Sequence, residues 1–395
     1  MRLSTDVSTR RILRKLASDG PVSTCTESMR MVSRELFFGP IFVILFENGV
    51  INTLPRNQLI NTVNIYSDNT SICKNIEHSD NSNAETNRFV ATIPDGYILA
   101  GSGTVLTTEG ELVVDSLSTP TMSPDYITRP LNKHFIRDGL RFTTNFITGN
   151  IRSFNTVDSS KDLLCPLIPR HQNYYHWTIE TLPKIRLLKK FYQETDREPT
   201  LLLPPDPPSW MLESLSLLGG DIFTVQHAKE PVYNSEAVLV HSFIYKLSSE
   251  ELQWFKRQTT HLRDNIETNQ PRRIYISREG AQERRIHNDT AVLDMLRTYG
   301  FETHRLEELS VAKQIQLFTN AEIVVGPHGA GLSNLVYSED VTVVELFGDN
   351  LKPNFSRIAE VAGFDYHHIQ CHNDGPDIYI DVSRLHETLE QVVDK

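Results

Sequence analysis

Ala321-Glu322-Ile323-Val324-Val325-Gly326-Pro327-His328-Gly329-Ala330-Gly331-Leu332-Ser333-Asn334 is the stretch on which the reading of the fold turns. An apolar run of strand length enters a glycine-rich turn, and a helical pattern starts at Ala330. Backbone N–H groups at a helix start lack partners and carry partial positive charge, so the turn suits a diphosphate. Its glycines let the main chain come close to phosphate oxygens. A tight strand–helix turn with no ligand would be written the same way. The turn is not a dinucleotide fingerprint, because Gly329-x-Gly331 is followed at position 334 by Asn instead of a third glycine.

Outward from this turn the chain alternates. Strand patterns fall at 273–277, 301–305, 321–325, 341–347 and 366–369, with helical patterns at 289–299, 310–319, 330–336, 355–362 and 382–393. Such alternation predicts a parallel sheet with helices on both faces. Upstream, strands are expected at 163–168, 200–203, 222–225 and 237–240, helices at 176–192 and 210–218, and a bridging helix at 252–267. Short runs at 89–92, 97–99, 104–107 and 111–114, divided by Asp95-Gly96, Gly101-Ser102-Gly103 and Glu109-Gly110, read as β-hairpins. Residues 5–19 suggest a short amphipathic helix, 55–87 reads as loops, and the apolar run 36–46 is a buried strand or helix too short to cross a bilayer.

The domain expectation is an N-terminal β-rich extension over 1–155, a first nucleotide-type domain over 156–268 and a second over 269–395. At 395 residues the chain exceeds what one core usually serves. A hydrophobic share of 39% with 23% charged residues describes a globular chain, neither disordered nor membrane-spanning. The net charge of -11 and the lack of a long basic run argue against nucleic acid as partner. Cys25, Cys73, Cys165 and Cys371 lie far apart, which fits a reducing compartment better than a disulfide framework. A cytoplasmic location is expected, with peripheral membrane contact through a partner left open. Oligomeric state is not legible.

Several residues can carry chemistry. Glu345 ends a strand at the carboxyl edge of the sheet, where open α/β sheets bind ligands, and can accept hydrogen bonds from ribose hydroxyls. A salt bridge is the alternative there. Arg278 follows the strand at 273–277, and its planar fork of donors can neutralise a departing diphosphate. Arg284 and Arg285 can add charge, although solvated surface arginine is commoner. In the second cluster, Asn173-Tyr174-Tyr175-His176-Trp177-Thr178-Ile179-Glu180, His176 and Glu180 share one helix face. The carboxylate can orient the imidazole to deprotonate a hydroxyl. The pair can also be structural, and His-x-x-x-Glu alone is weak as a zinc motif. Tyr174, Tyr175 and Trp177 can stack on a sugar or fill a core. His367-His368-x-x-Cys371-His372 looks metal-like without a standard tetrahedral spacing, and no Asp-x-Asp pair occurs.

Taken together, Asn173-Tyr174-Tyr175-His176-Trp177 with Glu180, Leu182 and Pro183, then Tyr275-Ile276-Ser277-Arg278, Gly326-Pro327-His328-Gly329-Ala330-Gly331-Leu332-Ser333-Asn334 and Val344-Glu345-Leu346-Phe347 resemble glycosyltransferase family 61. The resemblance covers about residues 160–350. It implies a GT-B-like α/β fold, with two Rossmann-type domains facing across a cleft, acceptor in the first and donor nucleotide in the second. It also implies an inverting transfer from a nucleotide sugar such as a UDP-sugar, with no essential metal and no cofactor. Lys184 stands where relatives commonly carry arginine.

On this reading His176 with Glu180 is the base, and His328 is its competitor. Arg278, Gly329, Ala330, Gly331, Leu332, Asn334 and Glu345 bind the nucleotide sugar. Asn173, Tyr174 and Trp177 lie on the acceptor side, with a glycan or glycoconjugate as acceptor. A nucleotide- or glycan-binding module of the same fold without catalysis is the rival. A nicotinamide oxidoreductase and an assembly scaffold stand further off.

Overall fold

The computed structural model describes residues 53–55, 58, 64–67, 88–117, 156–263, 272–281, 283–375 and 377–393. The expected helix over 5–19, the run 36–46, most of the loops between 55 and 87, Cys25, Cys73 and the end of the bridging helix at 264–267 lie outside them.

The first sheet gathers β1 (Thr53–Leu54), β2 (Asn64–Ser67), β3 (Phe89–Pro94), β4 (Tyr97–Leu99), β5 (Thr104–Leu106), β6 (Leu112–Val113), β7 (Thr156–Pro166), β8 (Thr200–Leu203), β9 (Val225–His227) and β10 (Val232–His241). Its order is β1-β6-β5-β4-β10-β7-β8-β9, with β3 also on β10 and β2 on β3. β10, β7, β8 and β9 run parallel. β3 and β4 join the same β10 antiparallel, so the hairpins expected as an extension continue this sheet. A buried pair ties them down further: the Arg88 guanidinium donates to Glu251 at 2.6 and 3.1 Å. Glu251 is itself part of the capping box that starts the helix Ser249–Gln258.

The second sheet holds β11 (Arg273–Ile276), β12 (Glu302–His304), β13 (Ile323–Pro327), β14 (Thr342–Phe347) and β15 (Asp365–Gln370), all parallel, in the order β12-β11-β13-β14-β15. A small ribbon of β16 (His372–Asp374) and β17 (Asp377–Tyr379) follows. The chain is thus mixed α/β with parallel strands in both sheets. In the second sheet the order reverses between β11 and β13, and an open sheet binds ligands outside its carboxyl edge at such a point. Central strands of this kind are buried on both faces, as β13 and β14 are. One face packs on the helices Asp289–Thr298 and Val382–Val393. The other joins the helices Val311–Asn320 and Asn354–Ala362 in a core that continues into the first unit.

Local differences from the expected elements have local causes. The helix expected over 176–192 divides into a π-turn, His176–Thr181, and an α-helix, Lys184–Thr195. Pro183 lies at the break, where a ring without an N–H cannot continue the ladder. The helix expected from Ala330 is a 3-10 helix, Ala330–Tyr337. The strand expected at 222–225 becomes a turn, Gly220–Ile222, and β9 starts at Val225. Gly219, with φ of 75°, closes the preceding helix Ser209–Leu217 in the left-handed region.

Candidate active site

The loops after β11 and β13 meet at the strand-order reversal. Arg278 follows β11, and its Nη2 donates to the Glu283 carbonyl at 3.0 Å. Its Nη1 would lie 2.4 Å from a β-carbon on Gly329. Gly329 has extended backbone, φ -173°, which any residue adopts. The glycine therefore leaves room for the guanidinium in its present position and is not required by its conformation.

Arg284 sits beside Arg278 with φ of 62°, a left-handed backbone that costs a side-chain-bearing residue about 1–3 kcal/mol. Its Nη1 donates to the His328 carbonyl at 2.6 Å. Burial, and then the neighbouring Arg284 charge, push the Arg278 guanidinium down to about 10. Burial also lowers Arg284. Glu307 and Glu283 partly offset this at Arg278, as Glu283 and Glu345 do at Arg284, but neither arginine makes a close ion pair among the described residues, and Arg278 Nε is buried with no partner. Two neighbouring cations of this kind suit an anion at this place.

The 3-10 helix completes that place. Its first internal bond runs from Leu332 N–H to Gly329 C=O at 3.0 Å, so the Ala330 and Gly331 amides precede it. Leu332, expected to offer its amide to phosphate, has that amide committed here and its side chain buried. Asn334 is also corrected. It is fully buried, donates to Gln314 Oε1 at 2.8 Å and Gly331 O at 3.1 Å, and accepts the Tyr174 hydroxyl at 2.7 Å. Asn334 joins the two units instead of touching a ligand.

Glu345 has none of its surface exposed. Its Oε1 accepts His328 Nδ1–H at 2.5 Å and its Oε2 accepts the Tyr366 hydroxyl at 2.6 Å. With no exposed surface and both oxygens bonded inside the protein, it is not placed to meet ribose hydroxyls as expected. It orients His328, whose ring stacks on Phe347 and tilts against Phe355.

The first unit brings a second histidine–glutamate pair. Asn173 is exposed and its Oδ1 accepts the His176 N–H at 3.0 Å, so it acts as a cap on the π-turn. π-turns concentrate at functional positions. His176 Nδ1 meets Glu180 Oε2 at 2.8 Å, with the side chains 25% and 12% exposed. Tyr175 stands edge-on between His176 and Phe355, and Phe355 also touches His328, so a run of ring contacts links the two pairs.

Two acceptor-side candidates leave the site. Trp177 has no exposed surface and donates its indole N–H to Ser214 at 2.8 Å. Tyr174 packs edge-on against Trp210 and spends its hydroxyl on Asn334. Arg284 and Tyr366 are the residues that sequence reasoning undervalued or missed. No motif marks Tyr366, because its partner lies on the neighbouring strand.

Lys184 is buried and held below the usual lysine range by desolvation. His367 pairs with Asp365 at 3.1 Å. Among the described residues, no three histidine, cysteine or acidic side chains are gathered to hold a metal ion. Nor is any described helix long and apolar enough to cross a membrane.

Residues 174–344 match the family model described as Glycosyltransferase 61. No curated protein matches the chain. The matched segment contains His176, Glu180, Arg278, Arg284, His328 and the glycine turn, while Glu345 and Tyr366 lie beyond it. Over that segment the chain is similar to glycosyltransferase family 61, which supports a general glycosyltransferase activity.

Proposed function

We propose that this chain moves a sugar from a nucleotide-sugar donor, a UDP-sugar in the first instance, to a hydroxyl of a glycan or glycoconjugate. The transfer is inverting and needs no metal. The two units work as the Rossmann-type halves of a GT-B-like arrangement, the first (156–268) receiving the acceptor and the second (269–395) the donor. Surface polysaccharide synthesis at the cytoplasmic face of a membrane is the setting this reading favours.

The observation that carries the reading is the pair Arg278 and Arg284, two part-buried guanidiniums with no close ion pair among the described residues, beside the glycine turn that starts the 3-10 helix. A leaving diphosphate develops charge there, and donors fixed before the reaction stabilise it without reorganisation. His176, oriented by Glu180, takes the acceptor proton as the hydroxyl attacks the anomeric carbon.

A panel of nucleotide sugars tests this by thermal shift and by release of nucleoside diphosphate. A donor that binds the native state raises the unfolding midpoint by mass action. Binding and turnover of one donor are expected. Binding without turnover would leave a binding module, and no shift with any donor would end the assignment.

A further inference from the structure

The ribbon of β16 and β17, which lies beyond the matched segment, binds the loop that carries Arg284. Arg285 N–H donates to Asp377 Oδ1 at 3.1 Å, Ile378 N–H to the Arg285 carbonyl at 3.0 Å and His287 N–H to the Ile378 carbonyl at 2.9 Å. We propose that Asp377 is a positioning residue for the donor site. By gripping the main chain at Arg285 it fixes the preceding residue, Arg284, in its left-handed backbone, and so sets that guanidinium on the His328 carbonyl, next to the seat of Arg278 at Gly329. This rests on the donor-site reading above.

The grip continues past Arg285. Asn288 Nδ2 donates to the Ile380 carbonyl at 2.8 Å, and its Oδ1 accepts the Ile380 N–H at 3.0 Å. Ile286 forms a parallel bridge with Ile378, and both side chains are buried in the core of the second sheet. Residues 285–288 thus run alongside β17 for their whole length.

The ribbon is itself held by the turn after β14. Cys371 N–H donates to the Phe347 carbonyl at 2.6 Å, Asn373 Nδ2 donates to Asp349 Oδ2 at 2.5 Å, and Asn373 Oδ1 accepts the Asp349 N–H at 3.3 Å. A β-carbon on Gly348 would collide with the Asn373 side chain, so turn and ribbon are in close contact. One short ribbon therefore ties the loop after β11 to the loop after β14.

Arg284 needs such an anchor. Its φ of 62° is disfavoured for a residue with a side chain and persists only where the surroundings over-determine it. The neighbouring Arg285 points outward, 51% exposed, and donates to Asp377 from Nε at 3.1 Å and from Nη2 at 2.8 Å. An ion pair with one partner so exposed contributes little by itself. The Arg285 N–H meets a carboxylate only 16% exposed, and a charge-assisted bond of that kind holds the main chain firmly.

Calorimetry on the full chain with UDP, GDP and CDP reads the positioning through the affinity of the tightest-bound diphosphate. Arg284→Ala should weaken that affinity about tenfold and Asp377→Ala about fivefold. The double variant should bind no more weakly than Arg284→Ala, because Asp377 acts only through that guanidinium. A merely structural role would lower the unfolding midpoint and leave affinity alone, or add its loss to that of Arg284→Ala. Asp377→Asn keeps an oxygen for the Arg285 N–H and should recover to within about twofold. Arg285→Ala keeps the N–H itself and should also stay within about twofold.

Unchanged affinity in Asp377→Ala, or losses that add in the double variant, would overturn the positioning role while leaving the donor site standing. A loss in Arg285→Ala as large as that in Arg284→Ala, or no recovery in Asp377→Asn, would place the effect in the Arg285 charge and overturn the main-chain route. If Arg284→Ala binds as the unmodified protein does, the proposal falls, and Arg278→Ala then shows whether the donor site stands without it. If the unmodified protein binds none of the three diphosphates, the donor-site reading fails and takes the proposal with it. Should Asp377→Ala not fold, Asp377→Glu decides. It keeps the charge but displaces the oxygen from the N–H, so it should weaken binding about threefold on its own and not in the Arg284→Ala background.

Discussion

The pair His176–Glu180 and the pair His328–Glu345 use the same two side chains in different ways. In the first, both residues sit on one π-turn, four apart in sequence, with side chains 25% and 12% exposed. In the second, the partners are seventeen apart on neighbouring strands, 12% and 0% exposed, and a tyrosine from a third strand locks the carboxylate. A half-open pair can exchange a proton with an incoming hydroxyl and with solvent. A sealed and doubly bonded pair holds its imidazole in one orientation. The difference teaches that the same two side chains can form a part-open pair within one turn or a sealed pair assembled from neighbouring strands.

The largest effect expected falls on the charge that separates the two pairs. Arg278→Ala should lower kcat/KM by about 10²–10³-fold while circular dichroism and the unfolding midpoint stay near the original. Unchanged turnover would remove the arginine side of the site and collapse the contrast. Next, His176→Gln should reduce kcat by about 10²-fold, with nucleoside diphosphate affinity retained. A rise in acceptor KM alone would make His176 a binding residue, and the part-open pair would not be the base.

A smaller change tests how Arg278 is seated. Gly329→Ala places a β-carbon 2.4 Å from Arg278 Nη1, and only the flexible end of that side chain must move. Donor affinity should fall about tenfold with little loss of stability, because one charge-assisted contact is displaced. Equal affinity would show that the guanidinium contributes nothing from its present position.

One prediction is milder. Last, Trp177→Phe removes the hydrogen bond to Ser214 and should cost about 1 kcal/mol of stability, read by denaturant unfolding, with turnover unchanged. Lost turnover in a stable protein would return Trp177 to the acceptor side.

Local patterns made much of this legible. The alternation downstream of residue 273 shows in the apolar runs, and the final helix falls on Val382–Val393 as expected. Ser310 caps the helix Val311–Asn320 through its hydroxyl, which accepts the Lys313 N–H. His176 and Glu180 could be paired because turn geometry alone brings them together. Other features lay beyond such patterns. Glu345 read as a ribose ligand because a strand-end carboxylate is placed by its strand, whereas its role depends on what β13 and β15 set beside it. Asn334 and Tyr174 each looked like ligand contacts, yet they satisfy one another across 160 residues of chain.

From the sequence alone came the elements, the parallel second sheet, the glycine turn and the placing of both clusters with family 61, since backbone propensity and short-range spacing encode them. Which polar atoms remain free for a ligand was decided only in three dimensions. A buried donor or acceptor must find a partner, and that partner is chosen by strand neighbours and packing helices drawn from distant parts of the chain.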